Sequence, residues 1–183
     1  MTTRPVVPDY TDAQIASFLV AAREVIAAVR LCWLATRSLE GGTNARCVDS
    51  FPGSPGSDEW TRRIVVRRNS RKVAEMRAAP SVTLAYQHPS GDRWIALGGR
   101  ATIIDDVAEM RTLWPGNMTA QFPPGFADAN MFVVRVDVDR IEVHARGLTA
   151  EPFGTGRTLL ERQPGGSWRY IPIELPVGIS AMA

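Results

Sequence analysis

The chain has 183 residues, 45% hydrophobic and 22% charged, a composition that suits one soluble globular domain able to bury a sizeable core. Its formal net charge is +2 and its arginines are scattered rather than blocked, so neither nucleic acid nor an anionic membrane is implied as a partner. Two cysteines and two histidines, none at metal-ligand spacing, argue against a disulfide scaffold and a zinc site.

In chain order, residues 1–10 read as an extended arm carrying Pro5 and Pro8, with no secretory-signal pattern, and a cytoplasmic location is expected. Thr11 and Gln14 have capping-box spacing. Ile15, Phe18, Leu19, Ala22, Ile26 and Val29 then recur at helical spacing, giving one apolar face to lay on a sheet. Arg23 and Glu24 interrupt this segment, so it is no membrane span. LCWLATRS (31–38) and TNARCVDSF (43–51) read as a hairpin around Glu40-Gly41-Gly42. Cys32 and Cys47 fall on its two neighbouring strands, where a disulfide or a reactive thiol is open but the apolar contexts favour reduced, buried small hydrophobes. Residues 52–58 form a Pro/Gly/Ser loop longer than a tight hairpin needs.

From Arg63 to Ile103 the pattern is strand, short helix, strand, turn, strand. Ser70 opens the helix and Pro80 stops it, VTLAY follows, and HPSGD turns the chain into WIALGGRATI. Leu97-Gly98-Gly99-Arg100 lies inside a strand, where it marks a bulge or a close backbone approach rather than a nucleotide-binding turn. Asp106 and Glu109 open a further helix through Leu113. Residues 114–130, rich in Pro, Gly and Phe, read as a lid, interface segment or disordered loop. FVVRVDV (132–138) and RIEVHAR (140–146) read as a strand pair, and TLLERQ and WRYIPI as strands around a Pro-Gly-Gly-Ser turn. Many short strands with few helices give a mainly β, closed or nearly closed antiparallel barrel with appended helices.

Reading the sequence gives a single lysine, Lys72, directly after Arg71 in the first turn of a helix. A helix start offers unpaired N–H groups and the positive end of the dipole, which favour an anion and mildly disfavour two cations. Ser70 adds a hydroxyl, Arg71 a planar fork and Lys72 a point charge, so Asn69-Ser70-Arg71-Lys72 reads as a phosphate seat. The competing reading is a capping serine followed by two solvated cations. There is no G-x-S-x-G, Walker A or helix-opening G-x-G-x-x-G, and no general base with a supporting partner is visible.

RRNSRKVAEMRAAPSVTLAYQHPSGDRWIALGGRATIIDD, with the later LWPGNM, FPPG and FVVRVDVDRIEV, resembles the pyridoxamine 5′-phosphate oxidase-like family, more narrowly its general stress protein 26 branch. The resemblance covers roughly residues 30–145. It implies a single domain over residues 1–183 with the last part, 147–183, as an extension. The implied fold is the six-stranded antiparallel split β-barrel with flanking helices, FMN-binding split-barrel type, assembled as a homodimer with FMN at the dimer interface. Position by position it implies Ser70, Arg71 and Lys72 at the FMN phosphate, Arg46, Cys47 and Val48 passing the flavin with their backbone, and Val65 and Val66 at the strand end. The hydroxyl usual at Val66 is missing, so only backbone contact is expected there. Trp94 stands where the oxidase has a cofactor-touching glutamine, His144 where it has a tryptophan, and Arg157 matches a flavin-contacting arginine. The oxidase's substrate arginine and histidine fall at Phe153 and Thr155, which cannot do the same work, so pyridoxamine phosphate oxidation is not expected. The readings this leaves are an FMN-dependent oxidoreductase acting on a small-molecule redox substrate, a non-catalytic flavin-binding stress-response protein, or a split barrel using F420 or haem.

Overall fold

The computed structural model describes residues 10–120, 122, 130–149 and 158–172. Helix α1, Asp12–Ala28, opens with the complete capping box: the Thr11 side chain accepts from the Gln14 N–H and the Gln14 side chain accepts from the Thr11 N–H. Its buried positions are Ile15, Phe18, Ala21, Ala22 and Val25. The stripe runs at the expected spacing but includes Ala21 and Val25, leaving Leu19, Ile26 and Val29 half-buried at its margin. Strands β1 (Leu31–Arg37) and β2 (Thr43–Asp49) form the expected hairpin, in which Trp33 stands opposite Cys47 and Cys32 opposite Val48. Directly opposed residues share a face. Cys32 therefore points into the core while Cys47 and Trp33 point out; both cysteines are free, and Cys47 is exposed. The expectation of two buried cysteines fails at Cys47, because β2 presents alternate side chains outward.

A two-residue strand β3 (Phe51–Pro52) pairs with β4 (Arg62–Arg67), which leads into α2 (Arg71–Ala78), β5 (Ser81–Gln87) and β6 (Arg93–Ile104). Then come α3 (Val107–Leu113), whose Asp106 cap accepts from the Glu109 N–H, and a short 3-10 helix, Gly116–Ala120. The two segments expected as a strand pair over 132–146 are one continuous strand, β7 (Met131–Ala145). Asp139-Arg140 is not a turn. The register shifts there, Gly98 pairing Arg140 and Gly99 pairing Val138, so Asp139 bulges and the strand bends without reversing. Gly99 is required at that bend, since a Cβ on it would sit 2.3 Å from the Asp137 carbonyl oxygen. Strands β8 (Thr158–Arg162) and β9 (Trp168–Ile171) add a hairpin on β7.

The sheet order is β2-β1-β5-β6-β7-β4-β3. Six strands, β1, β2 and β4 to β7, make the antiparallel barrel of a split-barrel fold, and β3 and the β8–β9 hairpin are additions to it. The barrel interior is one apolar cluster containing Leu34, Ile64, Leu84, Ile95, Leu97, Phe132 and Ile141. The helices serve opposite ends of it. At one end Glu24 of α1 pairs with Arg93, which starts β6. At the other, Glu75 of α2 bonds Thr36 near the end of β1. The outer edges of β2 and of β4 beyond Arg63 pair with no other strand among the described residues, which leaves the split in the barrel between them.

Candidate functional site

Helix α2 starts where β4 leaves the barrel. Its first turn carries Arg71 and Lys72 with no acidic residue. Ser70 occupies the N-cap position, but its hydroxyl donates back to the Arg67 carbonyl at 2.7 Å and makes no cap bond. The sequence suggests a capping serine; the structure turns the hydroxyl the other way, and with the Val73 N–H donated to the Ser70 carbonyl at 3.0 Å it is the Arg71 and Lys72 N–H groups that keep their capacity for an external anion. Arg67 and Arg68, exposed at the end of β4, add positive charge beside them.

The ion most committed to the site is a carboxylate. Glu75, one turn into α2, has no exposed surface. It accepts from Thr36 Oγ1 at 2.6 Å, Asn44 Nδ2 at 2.5 Å and Arg46 Nη2 at 2.7 Å, and lies 3.3 Å from Arg71 Nε. Arg46 also donates to Thr36 Oγ1. Burial pushes the Glu75 carboxyl up, the largest single influence, but the hydrogen bonds from Thr36, Asn44 and Arg46 and the Arg46 charge together hold it below the ordinary carboxylate range. Glu75 thus fixes α2 to the β1–β2 hairpin and holds Arg46 and Arg71 beside the helix start. Among the described residues Lys72 makes no hydrogen bond or ion pair. It is half-buried, and its ammonium is held below its ordinary pKa by burial, then by repulsion from Arg46, with Glu75 opposing.

Of the residues singled out from sequence, Arg46, Ser70, Arg71 and Lys72 come together here, and Cys47 and Val48 follow Arg46 along the open edge of β2. Val65 is half-buried and Val66 is 2% exposed with its side chain in the core, so Val66 offers a site only its backbone. Trp94 is not brought to this group. It pairs with Gln87 at the other end of β5 and β6, roughly 17 Å along the strand from Gly99 at the ordinary rise per residue. There it stacks on His144, with ring centroids 4.3 Å apart and planes 13° apart. Arg157, Phe153 and Thr155 lie outside the described residues, as does most of the 114–130 loop beyond Ala120. Sequence reading missed Glu75, because a glutamate four residues after an arginine reads as a solvated helical ion pair. No group that could hold a metal ion is found among the described residues.

The donor set suits a phosphate dianion: a helix start without its side-chain cap, a half-buried ammonium bonded to no acid, and guanidiniums held on one buried carboxylate. FMN carries such a phosphate, and the residues here that would hold one are Arg71 and Lys72, since the Ser70 hydroxyl is already donated to the Arg67 carbonyl. The open edges of β2 and β4 flank the same point.

A search of curated proteins finds no match. Among solved structures, the fold resembles a protein related to general stress protein 26 from Clostridium acetobutylicum, at 14% identity and TM-score 0.65 over 79% of this chain and 94% of that one. It also resembles a pyridoxamine 5′-phosphate oxidase-related, FMN binding protein from Nostoc punctiforme, at 19% identity and TM-score 0.57 over 94% and 99%. The same architecture appears in an F420 reductase (15% identity, TM-score 0.50, 65% and 94%) and in a heme binding protein from Mycobacterium smegmatis (16%, 0.57, 77% and 56%). At these identities the likenesses establish the fold alone. The sequence itself matches the family described as pyridoxamine 5′-phosphate oxidase like over residues 20–150, and the chain belongs to that family.

Proposed function

We propose that the protein is an FMN-binding flavoprotein, a homodimeric oxidoreductase acting on a small-molecule redox substrate. The observation that carries the reading is Lys72: a half-buried ammonium in an uncapped first turn, bonded to no acid among the described residues, with Arg46 and Arg71 alongside. Two cations in that turn are unfavourable without an anion. Bound FMN supplies hydride or electron transfer at its isoalloxazine ring, and the chain supplies anchoring, orientation and access. No described side chain is assigned a proton-transfer role.

The outer face of the β1–β2 hairpin supports the dimer. Trp33 is 59% and Leu31 51% exposed, beside the half-buried Ala35 and the exposed Ala45 and Cys47. A large aromatic among small residues is an apolar patch suited to a second copy. F420 and haem, suggested by the F420 reductase and the heme binding protein that share the fold, are the alternatives. No helix of the described residues is long and apolar enough to cross a membrane.

The test is an absorbance scan from 300 to 550 nm after FMN loading and desalting, repeated on Arg71→Ala/Lys72→Ala. Each charge-assisted phosphate contact contributes ~1.5–3 kcal/mol, and Arg71 is largely exposed. The double variant is therefore expected to lose FMN affinity by about a hundredfold while folding normally. Unchanged affinity removes the phosphate seat. Wild-type protein that retains F420 or haem but no FMN changes the cofactor.

A further inference from the structure

At the α1 end of the barrel, away from the phosphate seat, Arg62 of β4 is only 6% exposed. Its neighbour Arg63 shows what a structural buried arginine looks like here. Arg63 donates to the Pro52 carbonyl at 2.7 Å and to the Leu113 carbonyl, and so is held by two backbone acceptors. Among the described residues Arg62 makes one hydrogen bond, from Nε to Ser50 Oγ at 3.3 Å, and that hydroxyl is shared with Tyr86 Oη at 2.6 Å. No carboxylate pairs with Arg62 among the described residues. A buried guanidinium with donors to spare is costly unless an anion or water meets it.

Arg62 lines a cleft of about 440 Å³ between the C-terminal half of α1 and the β3–β4 edge, at the small end of the range for small-molecule sites. Its walls are Ile26, Val29, Phe51 and Trp60. Two other arginines border it, and both are already neutralised. Arg23 makes two 2.8 Å bonds to Glu59, and Arg30 lies 2.7 Å from Asp49. The surplus positive charge of the cleft is therefore that of Arg62, beside its apolar lining.

We propose that this cleft binds a small organic carboxylate with an apolar body, its carboxylate on Arg62 and Ser50 and its body between α1 and Trp60. One surplus charge suits a monoanion, and the apolar walls select against a bare inorganic ion. The site needs no flavin, and it stands or falls separately from the proposed cofactor.

The test is calorimetric titration of the full chain with benzoate, with benzyl alcohol and inorganic phosphate as probes of the walls alone and the charge alone. Benzoate is expected to bind at least about tenfold more tightly than either. Arg62→Gln is expected to weaken it about tenfold or more. Ala27→Trp, at an exposed α1 position lining the cleft, is expected to do the same by filling the space without touching the core. If Arg62→Gln does not fold, Ala27→Trp decides. Benzoate binding no tighter than benzyl alcohol or phosphate, binding indifferent to Ala27→Trp, or no binding at millimolar benzoate overturns the proposal. So does competition between benzoate and FMN, which would put the benzoate at the other end of the barrel.

Discussion

Replacing Glu75 with glutamine removes one charge from a fully buried side chain and keeps its shape. The carboxylate accepts from Thr36, Asn44 and Arg46 and pairs with Arg71. A glutamine keeps one acceptor oxygen and turns an NH2 group towards residues that are themselves donors. Each hydrogen bond to a charged group contributes ~1.5–3 kcal/mol, and breaking a buried ion pair costs ~3–5 kcal/mol. The Arg46 side chain is 20% exposed and partly rehydrates once released, which places the expected loss at the lower end, about 3 kcal/mol. Urea unfolding of both proteins at a series of pH values measures it. Because the folded carboxyl is held below its ordinary 4.5, its stabilisation is fully present above that value and is lost as pH falls through the lower folded value. The gap between wild type and Glu75→Gln is therefore expected to stay constant from pH 7 to 5 and close only in stronger acid. A gap below about 1 kcal/mol at pH 7, where a buried pair should cost several times that, or one that persists unchanged in strong acid, would refute this account of Glu75.

The remaining expectations concern the ligand, the bulge and the thiols. FMN affinity should be flat through neutral pH and begin to fall below pH 10.5, the ordinary lysine value, as Lys72 loses its proton early; titrations in which the fall begins only above that value count against Lys72 as a ligand. Gly99→Ala should destabilise the protein by ~1–3 kcal/mol in thermal unfolding, because its Cβ meets strand backbone that cannot step aside. In sedimentation velocity, wild type should run as a dimer and Trp33→Asp as a monomer. With a thiol reagent at pH 8, Cys47 should label quickly in Trp33→Asp and slowly in wild type. Cys32, buried and with its thiol pushed up to about 11 chiefly by burial, should label in neither until unfolding. Equal labelling of both thiols would contradict the placement of the two faces of β1–β2.

The order of elements was legible because each boundary has a local physical signal. Thr11 and Gln14 close a capping box, Pro80 stops α2, and Glu40-Gly41-Gly42 turns the first hairpin. The Gly98-Gly99 pair was readable as a close approach, and the bulge lies there. What it does to β7 was not readable. Asp139-Arg140 interrupts the apolar run in the way a turn would, and only the pairing with β6 shows that the strand continues past it. The exposure of Cys47 was hidden for a related reason: strand alternation tells which residues share a face, but not which face the core will take.

At the site, the sequence carried the cations and concealed their counter-charge. Ser-Arg-Lys at a helix start is a local pattern with its own electrostatic cost, so it could be read as a phosphate seat. Glu75 could not, because its partners Thr36, Asn44 and Arg46 lie on two other strands, and its burial exists only once α2 is laid on the β1–β2 hairpin. The same holds for Arg62, which in sequence is one member of an Arg-Arg pair with nothing to separate it from Arg63. In the fold, Arg63 is held by two carbonyls and Arg62 faces a cleft with one shared hydroxyl. A charge announces chemistry when the chain leaves it unanswered, and whether it is answered is a property of tertiary pairing. Lys72 at one end of the barrel and Arg62 at the other are cations that no described carboxylate pairs with and that, unlike Arg63, no pair of carbonyls holds, so an anionic ligand would complete the structure at each.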